Sequence, residues 1–198
     1  MIAAAAMEVF ARSGYDRATI EAIAGRAGVS APVVYDHFAS KHDLFVQGLE
    51  RTRDELLTVW RTHLAGDAPA SERVPAAIDA WAAYVEAHPF AARVFFREPS
   101  GDEHVRAAHA TVRAEAQQAL GAILGREPGS ERIAGADPEA LQMAAEIIRS
   151  GLGGLAVWWS EHPHVPRAQV VAAAVNVIWI GLERVTGEQV DGGNAARR

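Results

Sequence analysis

The chain has 198 residues, 49% hydrophobic and 22% charged, with a formal net charge of −6: enough apolar material for a core in one large domain or two small ones, and too acidic for a general polyanion binder. It contains no cysteine, which excludes a disulfide scaffold, a thiolate metal site and a cysteine nucleophile. The longest apolar run, Val170 to Leu182, is broken by Asn176 and falls short of the ~18–20 residues of a bilayer span, and the N-terminus carries no secretory pattern, so a soluble, cytoplasmic protein without membrane contact is expected.

The chain is rich in alanine, and its β-branched and aromatic residues never alternate with polar ones between turn dipeptides, which predicts an all-α fold. The first helix is expected from Ile2 to Ser13, with Ile2, Ala6, Val9 and Phe10 on one face and Gly14 as its stop. Thr19 caps a short helix over Ile20 to Ala27, Gly28 permits a tight turn, and Ser30 caps a third helix over Ala31 to Phe38. Ser40 and Asp43 are spaced as a capping box for a fourth. That fourth helix runs from Lys41 to about Leu64, with Phe45, Leu49, Leu56, Trp60 and Leu64 in register, and Gly66 to Glu72 reads as a linker. Val74, Ile78, Trp81 and Val85 mark a fifth helix that His88-Pro89 ends before a short aromatic segment, Phe90 to Arg97. Past the Pro99-Ser100-Gly101 break, Asp102 to Leu124 carries the stripe Val105, His109, Val112, Ala116, Ala119 and Ile123, and Gly125 to Asp137 reads as a polar, mobile loop.

The last two helices are apolar on more than one side. In Pro138 to Glu161, Leu141, Ala145, Ile148, Leu152, Leu155 and Trp159 form one stripe, and Ile147, Gly151, Gly154 and Trp158 an adjacent one; Arg167 to Val185 is apolar nearly all round. Elements of this kind need cover on every side. The pattern predicts a homodimer interface including Ile147, Gly151, Gly154, Trp158, Val177 and Ile180, glycines at 151, 153 and 154 admitting a close helix, against the alternative of a thick monomeric core. Residues 188–198 read as a disordered tail.

Thr19 to Phe38, TIEAIAGRAGVSAPVVYDHF, is a helix-turn-helix: a capped helix, a glycine turn, Val29 as a wedge and a second capped helix. Such a unit places the start of its second helix at base edges in the major groove. Val29, Val34 and Phe38 are spaced to pack inward, leaving Ala31, Pro32, Val33 and Asp36 outward. Residues 2–49 resemble the DNA-binding domain of the TetR (tetracycline-repressor-like) family. The matching marks are Ala5-Ala6, Val9-Phe10, Gly14-Tyr15, Thr19-Ile20, Ile23-Ala24, Ala27-Gly28-Val29-Ser30, Tyr35, His37-Phe38, Ser40-Lys41 and Leu44.

The resemblance implies a helix-turn-helix domain at 1–48, a helical effector-binding and dimerisation domain at 49–187, and a homodimeric repressor released from double-stranded operator DNA by a small-molecule effector. It implies no enzyme activity and no cofactor. An activator of the same fold, or a helical small-molecule-binding protein without a DNA function, are the alternatives. Thr19, Ser30, Tyr35, His37 and Lys41, the only lysine in the chain, then fall on the side this family presents to DNA. The family often has a hydroxyl residue at Val33 and a small one at Pro32; Ala31, Pro32 and Val33 offer only apolar contact, and Asp36 accepts from cytosine but repels phosphate, which shifts specificity toward DNA shape, Tyr35 and Arg26. Many members carry a basic arm before the first helix, whereas this chain begins almost at that helix; a missing extension or weaker binding is expected.

Residues 1–61 hold Arg12, Arg17, Arg26, Lys41, Arg51, Arg53 and Arg61 against eight carboxylates, so the DNA-facing end is near neutral and the acidic total leaves operator-specific binding open. Trp60, Trp81, Tyr84, Phe95 and Phe96, with Val112 and Ile147, are candidate walls of an apolar effector pocket, and His63, His109 and Arg113 its candidate polar anchors. Aromatics at helical spacing are equally the mark of simple core, and His109 in an apolar stripe equally that of a core histidine bonded to the backbone. A hydrophobic or planar aromatic effector is expected. His162-Pro163-His164 reads as a helix-end turn rather than a metal site.

Overall fold

The computed structural model describes residues 1–126 and 138–178. Its helices are α1 (Ile2–Ser13), α2 (Ile20–Ala27), α3 (Ala31–His37), α4 (Lys41–Leu64), α5 (Ala70–Ala87), α6 (Pro89–Phe96), α7 (Glu103–Leu124) and α8 (Pro138–Glu161), followed by helical residues 167–178, α9. There is no strand among the described residues, and no helix among them is long and apolar enough to cross a membrane. The chain from 127 to 137, the tail from 188 and Ile180 lie outside the described residues.

The small head forms where α1, α2 and α3 close on the first half of α4. Thr19 Oγ1 accepts from Ala22 N at 3.1 Å, so the helix starts where its cap dictates. Gly28 ends α2 in the left-handed conformation at φ 70°, which a side chain would strain. Ser30 occupies the N-cap position of α3, but its side chain makes no capping bond, and the first turn holds instead through Val34 N donating to the Ser30 carbonyl at 3.3 Å. Ser40 Oγ accepts from Asp43 N at 3.0 Å, while Asp43 Oδ2 reaches one residue further back than a capping box requires, to Ala39 N at 2.9 Å. Bonds from Gln47 and from Ala39 N–H hold the Asp43 carboxyl below its usual pKa.

Phe10, Tyr15 and Phe45 form the aromatic centre of the head, with centroids 5.2–5.7 Å apart. Lys41 seals it. Its ammonium stands 4.3 Å above the Tyr15 ring and donates to the carbonyls of Tyr15 and Ala18, both at 3.0 Å, so one cation satisfies the backbone of the α1–α2 loop and ties it to the start of α4. Close packing of α1 on α4 is set by Gly48, where a Cβ would fall 1.6 Å from the Met7 methyl.

Below the head, α4 continues without a break into the body, packing on α5, α6 and α7, while α6 and α7 pack on α8. Its last carbonyl, Leu64 O, is met by Arg73 Nη1, while Arg73 Nε donates to Ala68 O in the connection that follows, at 2.7 Å. This fold-back starts α5 at Ala70, inside the stretch that composition assigns to a linker. The aromatic segment after His88 is itself a helix, because Pro89 supplies a compatible first position.

His109 is 1% exposed, with Nε2 3.0 Å from the Phe95 carbonyl. A carbonyl accepts, so Nε2 carries the proton and the neutral ring closes one of the free carbonyls in the last turn of α6. Burial first, and the Arg113 charge second, push its pKa below the ordinary 6.5. The unfolded chain therefore binds the proton more readily, and stability is lost as pH falls from about 6.5 through the lower folded-state value. Urea unfolding between pH 7 and 5 is expected to show that loss, and His109→Gln, lacking the titration, to show a flatter profile. Lys41→Met removes both carbonyl bonds and is expected to lower unfolding free energy by about 1–3 kcal/mol, measured by urea denaturation at pH 7.5.

Candidate DNA-binding interface and effector cavity

Of the second helix of the motif, only Val34 is fully buried. Pro32, Asp36 and His37 are exposed, and Tyr35 is 54% exposed. Val33 is half-buried, and Ala31, Val29 and Phe38 pack partly against the core. The outward set is thus Pro32, Tyr35, Asp36 and His37, joined by Thr19 and Ser30 at the helix starts, while Ala31 is turned toward the protein because α3 is a short element leaning on α2.

Two cations expected at the DNA are engaged within the head. Arg26 pairs with Glu8 at 2.5 Å, and Arg12 approaches the same carboxylate at 2.9 Å. The hydrogen bond from Arg26 holds the Glu8 carboxyl below its usual pKa, against the opposing effect of burial. The α1–α2 contact is thereby fixed by charge, and Arg26 reaches a base only by leaving that pair. Lys41 turns inward, with two of its three donors on carbonyls, so a single donor remains for a phosphate.

In the body, α4, α5, α6, α7 and α8 surround a narrow cavity of about 40 Å³. Of the candidate wall residues, Trp60, Trp81, Phe95 and Phe96 line this cavity, together with Arg53, Leu56, Leu57, Ala116, Leu120, Ile148, Arg149 and Leu152. The other expected residues are placed elsewhere. His109 is a core residue bonded to α6, and Val112 is buried core. His63 bonds its own helix through Nδ1 and Val59 O at 2.9 Å. Tyr84 lines a separate open groove beside Gln47, Arg51 and His88, its hydroxyl donating to Glu55 Oε2 at 2.8 Å; burial and the neighbouring carboxylate push that hydroxyl's pKa well up. Ile147 faces solvent at 71% exposure, one position away from the cavity-lining Ile148. Arg113 is half-buried, and desolvation followed by the Arg149 charge lowers its pKa.

The residues missed are those supplied by helices far apart in sequence. One signal was present for Arg149: it is the single basic residue of α8, three positions after Glu146, in the most apolar long helix of the chain.

The sequence profile described as "Bacterial regulatory proteins, tetR family" matches residues 2–47. Over 182 residues, 91% of this chain and 81% of the relative, the chain is 30% identical to the HTH-type transcriptional activator FasR of Mycolicibacterium smegmatis. Among solved structures, the fatty acid degradation regulator FadR of Bacillus halodurans superposes with a TM-score of 0.73 at 17% identity, covering 94% of this chain and 96% of that one. The transcriptional regulator FadR of Bacillus subtilis, solved in complex with stearoyl-CoA, gives 0.70 at 20% identity, over 90% and 95% of the two chains. The head with its outward recognition helix, the all-helical body and a relative matched along nearly the whole length place this chain in the TetR family of bacterial transcriptional regulators, and it is not an enzyme.

Proposed function

We propose that the protein is a homodimeric, ligand-responsive repressor that grips operator DNA with α3 and lets go when a largely apolar effector enters the cavity beside Trp60, Trp81 and Phe95. The observation that carries this is the outward face of α3: a helix held by one fully buried residue, Val34, with Pro32, Tyr35, Asp36 and His37 turned away from the core. Tyr35 and His37 offer hydrogen bonds to phosphates or base edges, Thr19 and Ser30 offer hydroxyls at the helix starts, and Pro32 and Val33 offer apolar contact to thymine methyls.

Dimerisation is supported by α8 and α9. Met143 (59%), Ile147 (71%) and Trp158 (44%) are exposed along one side of α8 and Val177 (76%) on α9. Gly151 and Gly154 lie on that same side with open space over each, whereas Gly153 faces inward, where a Cβ would come within 3.0 Å of the Phe96 ring. A row of large apolar side chains around two bare glycines suits a second copy of the same helix pair, since two-fold pairing buries such a patch on both partners at once.

The effector class is supported by the cavity walls and by relatives whose names and contents concern fatty acids and a fatty acyl-CoA. The activator reading has its own support in the name of the M. smegmatis relative. Transcription in vitro from the gene's own upstream region separates the two: a repressor lowers it, and effector restores it.

Three outcomes are expected. Tyr35→Ala and His37→Ala each weaken operator binding by about tenfold, roughly 1.4 kcal/mol, in fluorescence anisotropy with the melting temperature unchanged, because neither side chain is buried. With Arg26 and Lys41 engaged internally, the slope of log affinity against log salt is expected to stay below about 4 in magnitude, since each neutralised phosphate contributes roughly 0.9. Ile147→Glu combined with Trp158→Glu is expected to give monomers in sedimentation velocity; a dimer that persists excludes this face as the interface.

A further inference from the structure

Arg149 borders the effector cavity in an unusual state. Glu146 holds its guanidinium from the side, Nε to Oε2 at 2.9 Å and Nη2 to Oε1 at 2.5 Å, and Ser150 Oγ donates to the same carboxylate at 2.6 Å. The fork is therefore fixed in orientation. The remaining nitrogen, Nη1, is sealed from water and has no hydrogen-bond partner. A buried donor left unmet is costly, more so on a charged group, and native proteins seldom keep one without use.

The surrounding charge points the same way. Desolvation first and the Arg149 charge second lower the pKa of the half-buried Arg113, with Glu146 and Glu98 acting in the opposite sense, so Arg113 adds positive charge near an Arg149 already held by Glu146. Arg53, the other cation on the cavity wall, is already matched by Asp54 at 2.9 Å and by Glu115. The rest of the wall is apolar: Leu56, Trp60, Trp81, Leu120 and Leu152. One end of the cavity thus lacks an acceptor and a negative charge, and its remainder offers only apolar contact.

We infer that the effector is an apolar monocarboxylate, its carboxylate accepting from Arg149 Nη1 and its hydrocarbon part lying among the leucines and tryptophans of the cavity. The inference rests on the cavity being the effector site. A carboxylate fits better than an uncharged acceptor, because it meets the unused donor with a charge-assisted hydrogen bond and offsets the positive charge of Arg113 and Arg149 in the same step. At about 40 Å³ the cavity is far below the roughly 300–1,000 Å³ of occupied ligand sites, so binding has to widen it.

The test uses the full chain and three probes of equal chain length, dodecanoate, 1-dodecanol and dodecanoyl-CoA, below their micellar concentrations at pH 7.5, with affinity read by calorimetry. Dodecanoate is expected to bind at least tenfold more tightly than dodecanol. Arg149→Met is expected to erase that preference while dodecanol binding remains, and Arg149→Lys to recover part of it; retained dodecanol binding also certifies that the variant is folded. Leu152→Trp, which fills the cavity, is expected to abolish binding of both. Equal affinity for acid and alcohol in the wild type, with both lost in Leu152→Trp, overturns the carboxylate assignment and leaves the cavity as the effector site. Binding of dodecanoyl-CoA alone overturns it as well, since recognition then lies with the coenzyme's phosphates. Acid binding that survives Leu152→Trp, or no binding by any probe, overturns the cavity itself.

Discussion

A single helix holds both halves of the molecule to one geometry. The 24 residues of α4 extend for about 36 Å at 1.5 Å per residue, and they belong to two cores in succession. Leu44, Phe45 and Leu49 are buried in the head, with exposures of 0–2%, while Leu56, Leu57 and Trp60 wall the cavity of the body. Nothing at the boundary softens it: Gly48 meets Met7 closely, and Thr52 Oγ1 bonds back to Gly48 O at 2.9 Å within the buried turn. On the proposed function, a displacement at Trp60 reaches Phe45 along this one continuous helix. A domain boundary drawn near residue 48 from the motif divides two functions within one rigid element.

The head follows the rod because its loose end is tied to it. Lys41, at the first position of α4, holds the loop between α1 and α2 by its carbonyls, and the Glu8–Arg26 pair holds α2 to α1. These side chains explain why the sequence was legible for the elements and less so for the chemistry. Caps, glycine stops and apolar spacing are local signals, and they placed α1, α2, α4 and α8 at their observed ends. The role of a cation is not local. A lysine or arginine in a DNA-binding motif reads as a phosphate contact, but its long stem reaches inward as easily as outward, and a loop carbonyl such as Ala18 O decides the direction only once the chain is folded.

The effector cavity was legible for the same reason only in its aromatic walls. Trp60, Trp81 and Phe95 stand out in any pattern, whereas Leu120 and Leu152 are indistinguishable from core until five helices are assembled. His109 follows the core reading that the sequence also offered. A polar residue in an apolar stripe invites a ligand, yet the nearest unmet acceptor was the Phe95 carbonyl at the end of α6, and a helix terminus is a more frequent customer for a buried donor than a bound molecule. Arg149 differs because its unused nitrogen has no such carbonyl.

The pattern on α8 was legible in full because a helix apolar on two sides has to serve two contacts. Leu152, Ala156 and Trp159 are buried toward α6 and α7, while Ile147, Gly151, Gly154 and Trp158 face away. The Arg149 side chain leaves the same helix turn as Ile147 and Gly151, so the cavity wall and the proposed dimer face are the two sides of one element, a single helix diameter apart. On the proposed function, a ligand that widens the cavity either moves α8 against its partner in the dimer or moves α4 against the head. If the dimer face is the firmer of the two, α4 yields and both heads turn; if it is the weaker, the two copies slide. On that reading the distance between the two recognition helices changes in either case, and that distance is what an operator with fixed half-site spacing reads.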